Sequence, residues 1–177
     1  MHYPVCNRNR EVIGSAVTNL DLHDIARAGR TFGLDKYYLV TPFTDQQELV
    51  RQILDHWLTG HGAEYNKHRK EALSIIELCS DMAEVYGKIK DKWRQRPTVL
   101  ATSAAASERT LAYEEVRQRA FGGEPFLILF GTGWGMAPEL LKDVDALLPA
   151  LTGPGEYNHL SVRSAASIIL DRILGDR

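Results

Sequence analysis

Phe126-Leu127-Ile128-Leu129-Phe130-Gly131-Thr132-Gly133-Trp134-Gly135-Met136-Ala137-Pro138-Glu139 is the stretch on which the fold turns. Five consecutive apolar residues between Pro125 and Gly131 predict a central strand covered on both faces, because a strand inside a parallel sheet has no solvent side to mark with polar residues. The glycines that follow predict a turn at the strand's carboxyl end, the position where open α/β sheets bind ligands. Further on, Tyr157-Asn158-His159-Leu160-Ser161-Val162-Arg163-Ser164-Ala165 opens a final amphipathic helix. Its apolar stripe is Val162, Ala165, Ala166, Ile169 and Ile173, ending near Leu174. With Leu147-Leu148-Pro149-Ala150-Leu151 between them, the two stretches predict a chain that returns to one backbone-lined pocket beside strand ends.

Outward from this region, strand-like and helix-like patterns alternate, which is the signature of an α/β fold with a mostly parallel sheet and helices on its faces. Val12 to Val17 reads as extended, and Asp21 to Phe32 as a helix with Leu22, Ile25, Ala26, Gly29 and Phe32 on one face, stopped by Gly33. Tyr37 to Val40 is a buried strand, and residues 45 to 59 return to the helical period through Leu49, Ile53, Leu54 and Trp57. Ala72 to Leu78 reads as a strand. Met82, Tyr86, Ile89 and Trp93 follow at helical spacing, and Pro97 marks the boundary before the strand Thr98 to Ala101. Tyr113 to Ala120 is a helix and Ala146 to Leu148 a short strand.

At 177 residues the chain fits one α/β domain, 1–177, with a core of its own. With 44% hydrophobic and 25% charged residues it is globular rather than disordered. The net charge of −2 excludes a surface coated in positive charge and leaves room only for a local basic patch. Cys6 and Cys79 stand in apolar stretches without CxxC spacing or a histidine cluster, so buried free thiols are expected, with neither a disulfide framework nor a metal site. No charged-then-apolar leader and no apolar run of about 20 residues is visible, so a soluble cytoplasmic protein is expected.

Three loops at strand ends carry unusual content: Thr102-Ser103, Gly131 to Gly135, and Thr152 to His159. Glycines there let backbone N–H and C=O groups approach a ligand closely, which is how a polar heterocycle is read without charged side chains. The alternative is a tight turn whose glycines serve only the backbone. A phosphate cradle fits less well, since Gly131-Thr132-Gly133-Trp134-Gly135 lacks the Lys-Ser/Thr of a P-loop and the GxGxxG spacing.

Ile128-Leu129-Phe130-Gly131 with Gly133, Gly135 and Pro138-Glu139-Leu140-Leu141, followed by Asn158-His159-Leu160-Ser161-Val162-Arg163-Ser164-Ala165, resembles the second and third motifs of SPOUT-class S-adenosylmethionine-dependent RNA methyltransferases. Asp21 to Gly33, with Arg27 inside it, resembles the first motif. Thr18-Asn19-Leu20-Asp21-Leu22-His23-Asp24-Ile25-Ala26-Arg27 is similar to a bacterial subfamily of that class, and the resemblance covers almost the whole chain. It implies a Rossmann-like sheet whose C-terminal segment, about 126–175, forms a deep trefoil knot. It also implies a homodimer and methyl transfer to structured RNA, with transfer RNA and ribosomal RNA both open. The cofactor-facing positions it implies are Thr102, Ser103, Gly131, Gly133, Gly135, Leu151, Tyr157, Asn158, Leu160 and Ser161, with Leu147 or Leu148 as alternative apolar walls for adenine.

Two departures bear on the chemistry. The ribose-methylating branch carries Glu within its second motif, and here that carboxylate is missing. It carries Asn where this chain has Asp21 and His159. The catalytic candidates are therefore Arg27, Asp21 as a carboxylate base, and His159 as a proton shuttle. The ordinary roles stay open beside these: Asp21 and Asp24 as first-turn acids, Arg27 paired with Asp24 on a solvated stripe, Ser161 as an N-cap. Arg163, a cation on the first turn of a helix, needs a partner, and Glu156 is one option. His23 and Arg30 share the polar stripe of Arg27 at i, i+4 and i+7, and Lys67, Arg69 and Lys70 lie at one basic end of the segment 62–97; these five are the candidate RNA contacts. Two other readings remain: a noncatalytic knotted module that binds S-adenosylmethionine or RNA, and a flavodoxin-like nucleotide-binding enzyme.

Overall fold

The computed structural model describes residues 1–103 and 109–176. The chain opens with two short strands, β1 (Val5–Cys6) and β2 (Val12–Ile13), paired antiparallel. The segment read as extended from Val12 to Val17 is thus the second arm of a hairpin, exposed at Val12 and Ile13. Helix α1 (Asn19–Thr31) begins two residues earlier than its apolar pattern, because Thr18 caps it: the Thr18 side chain accepts from the Asp21 amide at 3.2 Å. Then come β3 (Tyr37–Val40), α2 (Thr44–Leu58) and two short helices, α3 (His61–Tyr65) and α4 (Lys67–Leu73).

The strand read from Ala72 to Leu78 is corrected here. Ala72 and Leu73 are the last buried residues of α4, and the strand β4 runs only over Ile76–Cys79. Apolar pairs on both sides of Ser74 do not mark where a helix ends and a strand begins, and Ser74 stands there without a Gly or Pro. The remaining elements are α5 (Met82–Trp93), β5 (Thr98–Ala101), α6 (Tyr113–Phe121), β6 (Phe126–Leu129), α7 (Pro138–Lys142), β7 (Ala146–Leu147) and α8 (Val162–Leu174).

The parallel strands form two groups. β3 pairs with β4 from Tyr37 opposite Ile76 to Val40 opposite Cys79. β5 lies between β6 and β7, with Thr98 opposite Phe126 and Leu100 opposite Ala146. Alternate residues of each strand serve opposite faces. Leu39 joins Leu22, Ala26, Val50 and Leu73 under α1, α2 and α4, whereas Val40 joins Cys79, Val85 and Ile89 under α5. Leu100 packs with Val116, Ile169 and Ile173 of α6 and α8, whereas Val99 and Ala101 pack with Leu129, Met136 and Val144. Helices therefore cover both faces, as expected. Among the described residues no helix is long and apolar enough to cross a membrane. Cys6 and Cys79 are buried free thiols, and burial pushes Cys79 up to about 12.

β6 departs from its reading as a strand buried on both sides. Phe126, Leu127 and Ile128 are half-buried and only Leu129 is fully enclosed. The reason is topological: among the described residues β6 is the outer strand of its group, paired on one side by β5.

Candidate active site

The loops after β6, β5 and β7 leave from the same end of neighbouring parallel strands, so topology gathers the segments beginning at Phe130, Thr102 and Leu148. Their backbones tie them together. The Thr102 amide and hydroxyl both donate to the Leu129 carbonyl, at 3.0 and 3.1 Å, and the Leu148 amide donates to the Ala101 carbonyl at 2.9 Å. Ser103 is half-buried beside Thr102, and Leu151 packs half-buried against the α6–α8 core. Leu148 is enclosed and Leu147 half-buried, so of these two Leu147 retains open surface.

The three glycines of the turn have unequal duties. A Cβ on Gly131 would stand 2.7 Å from Met136 Cγ and 3.1 Å from the Met136 amide nitrogen, so only bare backbone fits at the strand end. Gly133, at φ +63°, and Gly135, at φ +102°, lie where side chains are disfavoured. Both serve the first strand. The Cys6 amide donates to the Gly135 carbonyl at 2.8 Å, the Trp134 amide donates to the Cys6 carbonyl at 3.1 Å, and the Gly135 amide closes the turn on Thr132. Thr132 joins a further polar chain, donating to the Met1 carbonyl at 3.3 Å and bonding Ser15, which in turn meets His2 Nδ1 at 3.1 Å. Burial, reinforced by the neighbouring amino terminus, lowers His2 to about 4. Nothing in the local sequence signals this chain, since Ser15 and Thr132 are 117 positions apart.

The third segment is open. Tyr157 is 79% exposed and Leu160 50%, and His159 lies exposed with its ring edge-on to Tyr157, centroids 5.4 Å apart. Asn158 is half-buried. Ser161 caps α8, its Oγ accepting from the Ser164 amide at 3.2 Å.

Beside these loops α1 packs against α8, and the contact is polar at its mouth. Arg163 finds its partners there. Its Nη1 lies 3.3 Å from Asp21 Oδ1, and its Nε 3.4 Å from Asp24 Oδ2. Glu156 is not the partner, nor does Asp24 pair with Arg27. Asp21 is 7% exposed and accepts a second bond from the Thr18 hydroxyl at 2.7 Å. Carboxylate oxygens this enclosed need partners, and Thr18 and Arg163 each supply one. Arg27 lines the adjoining cleft with Asp24, Thr31, Arg163, Ser167 and Ile168. Its side chain is exposed and makes no hydrogen bond or ion pair to a described residue.

The candidate RNA contacts divide. Arg30 is held by Glu71, Nη2 to Oε1 2.6 Å. Arg69 stacks its guanidinium on Trp57, 4.6 Å from the ring centroid, and His23 meets the same ring edge-on at 5.5 Å. Burial, then the charge of Arg69, holds His23 below the usual histidine range. Lys67 and Lys70 are exposed on α4. His23 and Arg69 therefore form one aromatic and cationic group with Trp57, which sequence spacing does not place together.

These parts suit S-adenosylmethionine. The loops offer backbone, the Thr102 and Ser103 hydroxyls and the apolar walls of Leu147 and Leu151 to a neutral base.

Comparison with known proteins agrees with this geometry. A family model described as SAM-dependent RNA methyltransferase matches residues 1–175. A tRNA (guanine-N(1)-)-methyltransferase of Oleidesulfovibrio alaskensis is 45% identical over 99% of this chain, and the match spans 41% of that longer protein. An uncharacterized protein of Aquifex aeolicus is 35% identical over 98% of this chain and 85% of its own length. Among solved structures, TrmJ from Z. mobilis superposes with a TM-score of 0.60 at 17% identity, over 89% of this chain and 64% of that one, a likeness of fold. By its sequence from the first residue to Gly175, this chain belongs to the SAM-dependent RNA methyltransferase family.

Proposed function

We propose that this chain is a methyltransferase domain, 1–177, that moves a methyl group from S-adenosylmethionine to a nucleotide of structured RNA, with transfer RNA the class to test first. The observation that carries this reading is the exposed, unpaired guanidinium of Arg27 in a cleft whose other cation, Arg163, is already neutralised by Asp21 and Asp24. An unpaired arginine beside loops suited to the cofactor's neutral adenine is equipped to receive an anionic substrate. The name of the longer relatives supports transfer RNA. Their guanine-N1 specificity does not pass to this chain, which matches 41% of each.

S-adenosylmethionine supplies a methyl group already activated on a sulfonium, so the protein has to place the nucleophile and manage one proton. Thr102, Gly131, Leu151, Leu160 and Ser161 form the cofactor wall. Arg27 binds the target nucleotide through the donors of its guanidinium. Asp21 is a positioning residue: its oxygens are spent on Thr18 and Arg163. His159, exposed and two residues before Ser161 in sequence, accepts the proton. The proposal includes a trefoil knot formed by about 126–175 and a homodimer that covers Tyr157, Leu160 and Ile168, large apolar groups exposed in one chain.

The test is transfer of a tritiated methyl group to total RNA from a strain lacking the gene, followed by identification of the labelled nucleoside. Incorporation is expected, and Arg27→Ala should abolish it while cofactor affinity by calorimetry stays within about twofold. Micromolar cofactor binding with no incorporation into any RNA would establish a noncatalytic module instead.

A further inference from the structure

The outer edges of β3 and β6 face one another across a cavity of about 310 Å³, and among the described residues no strand lies between them. Helix α5 closes one side with Met82, Val85 and Ile89, and Ile25 of α1 with Ala166 and Leu170 of α8 closes the other. A space with strand edges on two sides and apolar helix faces on the other two has the surroundings of an interior strand of a parallel sheet.

The first two residues show its width. The His2 amide donates to the Val40 carbonyl at 3.0 Å, on the β3 side, and the Met1 amino group donates to the Phe130 carbonyl at 2.8 Å, on the β6 side. One extended chain thus touches both edges, which places them about two strand spacings of ~4.8 Å apart. Direction follows as well. Val40 and Phe130 stand at the carboxyl ends of β3 and β6, so chain leading up to Met1 would run parallel to both. The far mouth is polar, with Asp35, Lys36 and Glu124 ahead of the two strands.

We propose that this slot is a strand-docking site, filled by four or five apolar residues that continue the chain backwards from Met1 in a longer form of the protein and join the two groups into one parallel sheet. The inference is independent of the methyl-transfer reading. Interior packing does not otherwise leave an apolar space of this size unfilled. A peptide bond at this position would keep the donor to Phe130 without burying an ammonium group, which burial here lowers to about 6. The polar groups at the Met1 end are already engaged: Asp21 by Thr18 and Arg163, Thr132 and His2 by Ser15.

The test compares the 177-residue chain with three versions extended before Met1 by six residues: alternating Val and Ile, the same segment with Pro at alternate positions, and Gly-Ser repeats. The Val/Ile version should raise the thermal midpoint by at least ~6 °C, remove binding of an anilinonaphthalene sulfonate dye, and slow amide exchange in residues 37–40 and 126–129. The Pro version lacks ladder donors and should behave like the Gly-Ser version, close to the starting chain. Equal stabilisation by the Pro and Val/Ile versions would overturn the proposal in favour of a site for any apolar ligand. So would loss of dye binding by the unextended chain on adding S-adenosylmethionine, or no change from the Val/Ile version.

Discussion

Arg163 illustrates how much one side chain's duty depends on its surroundings. A cation on the first turn of a helix faces the positive end of the dipole, and two carboxylates from α1 offset that cost. Because Asp21 is enclosed, removing Arg163 leaves one of its oxygens without a partner. Arg163→Ala should therefore destabilise the chain by about 1–2 kcal/mol, less than a fully buried pair because the guanidinium is partly open to water. Urea unfolding reads this directly, and Asp24→Ala, which removes only the more exposed partner, should cost less. A second prediction concerns acid. His2 is held neutral, with a value near 4 in the folded chain against about 6.5 unfolded, so the unfolded state binds the proton first. Its contribution is fully present above pH 6.5 and is lost as the pH falls towards 4. The groups that face it are the Met1 amine and Asp21 together with the Ser15 hydroxyl, and the amine lowers it further. The loss should reach roughly 3 kcal/mol at most, and in His2→Asn the slope of stability between pH 6.5 and 4 should flatten. An unchanged slope would place the acid sensitivity elsewhere.

The glycine turn after β6 makes its prediction at the scale of an element. Gly133 adopts a left-handed backbone, and a Cβ there would stand 3.1 Å from the Cys6 carbonyl oxygen. Gly133→Ala should cost about 1–2 kcal/mol, and should loosen the hairpin of β1 and β2 before the rest of the fold. Amide exchange at Cys6 and Trp134 would show that order, and equal exchange rates in the two proteins would contradict it. The same element shows what sequence carries and what it omits. That Phe126 to Leu129 is a strand, and that Gly131 follows it as a turn, is legible because apolar run and glycines are neighbours in the chain. That the turn binds β1 is not legible, because Cys6 and Gly135 meet only in space. Helices α1, α2, α5 and α8 are legible within a few residues from their apolar period. The α4–β4 boundary is not legible because apolar pairs, Ala72-Leu73 and Ile75-Ile76, flank a single Ser74 with no Gly or Pro to mark the break. In the site, Ser161 as a cap was legible from its position, whereas the partners of Arg163 were not, since Asp21 lies 142 positions away.

For the whole molecule, the exposed apolar groups decide what a second copy would cover. Ile168 lines the cleft that holds Arg27, and Tyr157 and Leu160 are exposed in the segment leading to α8. An interface over these residues would exclude water from the mouth of the α1–α8 cleft and bring the Arg27 guanidinium against a dry wall, where its attraction for a phosphate strengthens. Ile168→Asp places a carboxylate at the centre of that surface. The change sits on an exposed position of α8, so the fold should lose less than about 1 kcal/mol, measured by thermal unfolding. Sedimentation equilibrium should nevertheless shift from twice the chain mass to the chain mass itself, and methyl incorporation into RNA should fall by at least tenfold together with it. A normal chain that sediments as a monomer, or a monomeric variant with full incorporation, would show that one copy completes the site and that Arg27 acts in a cleft open to solvent.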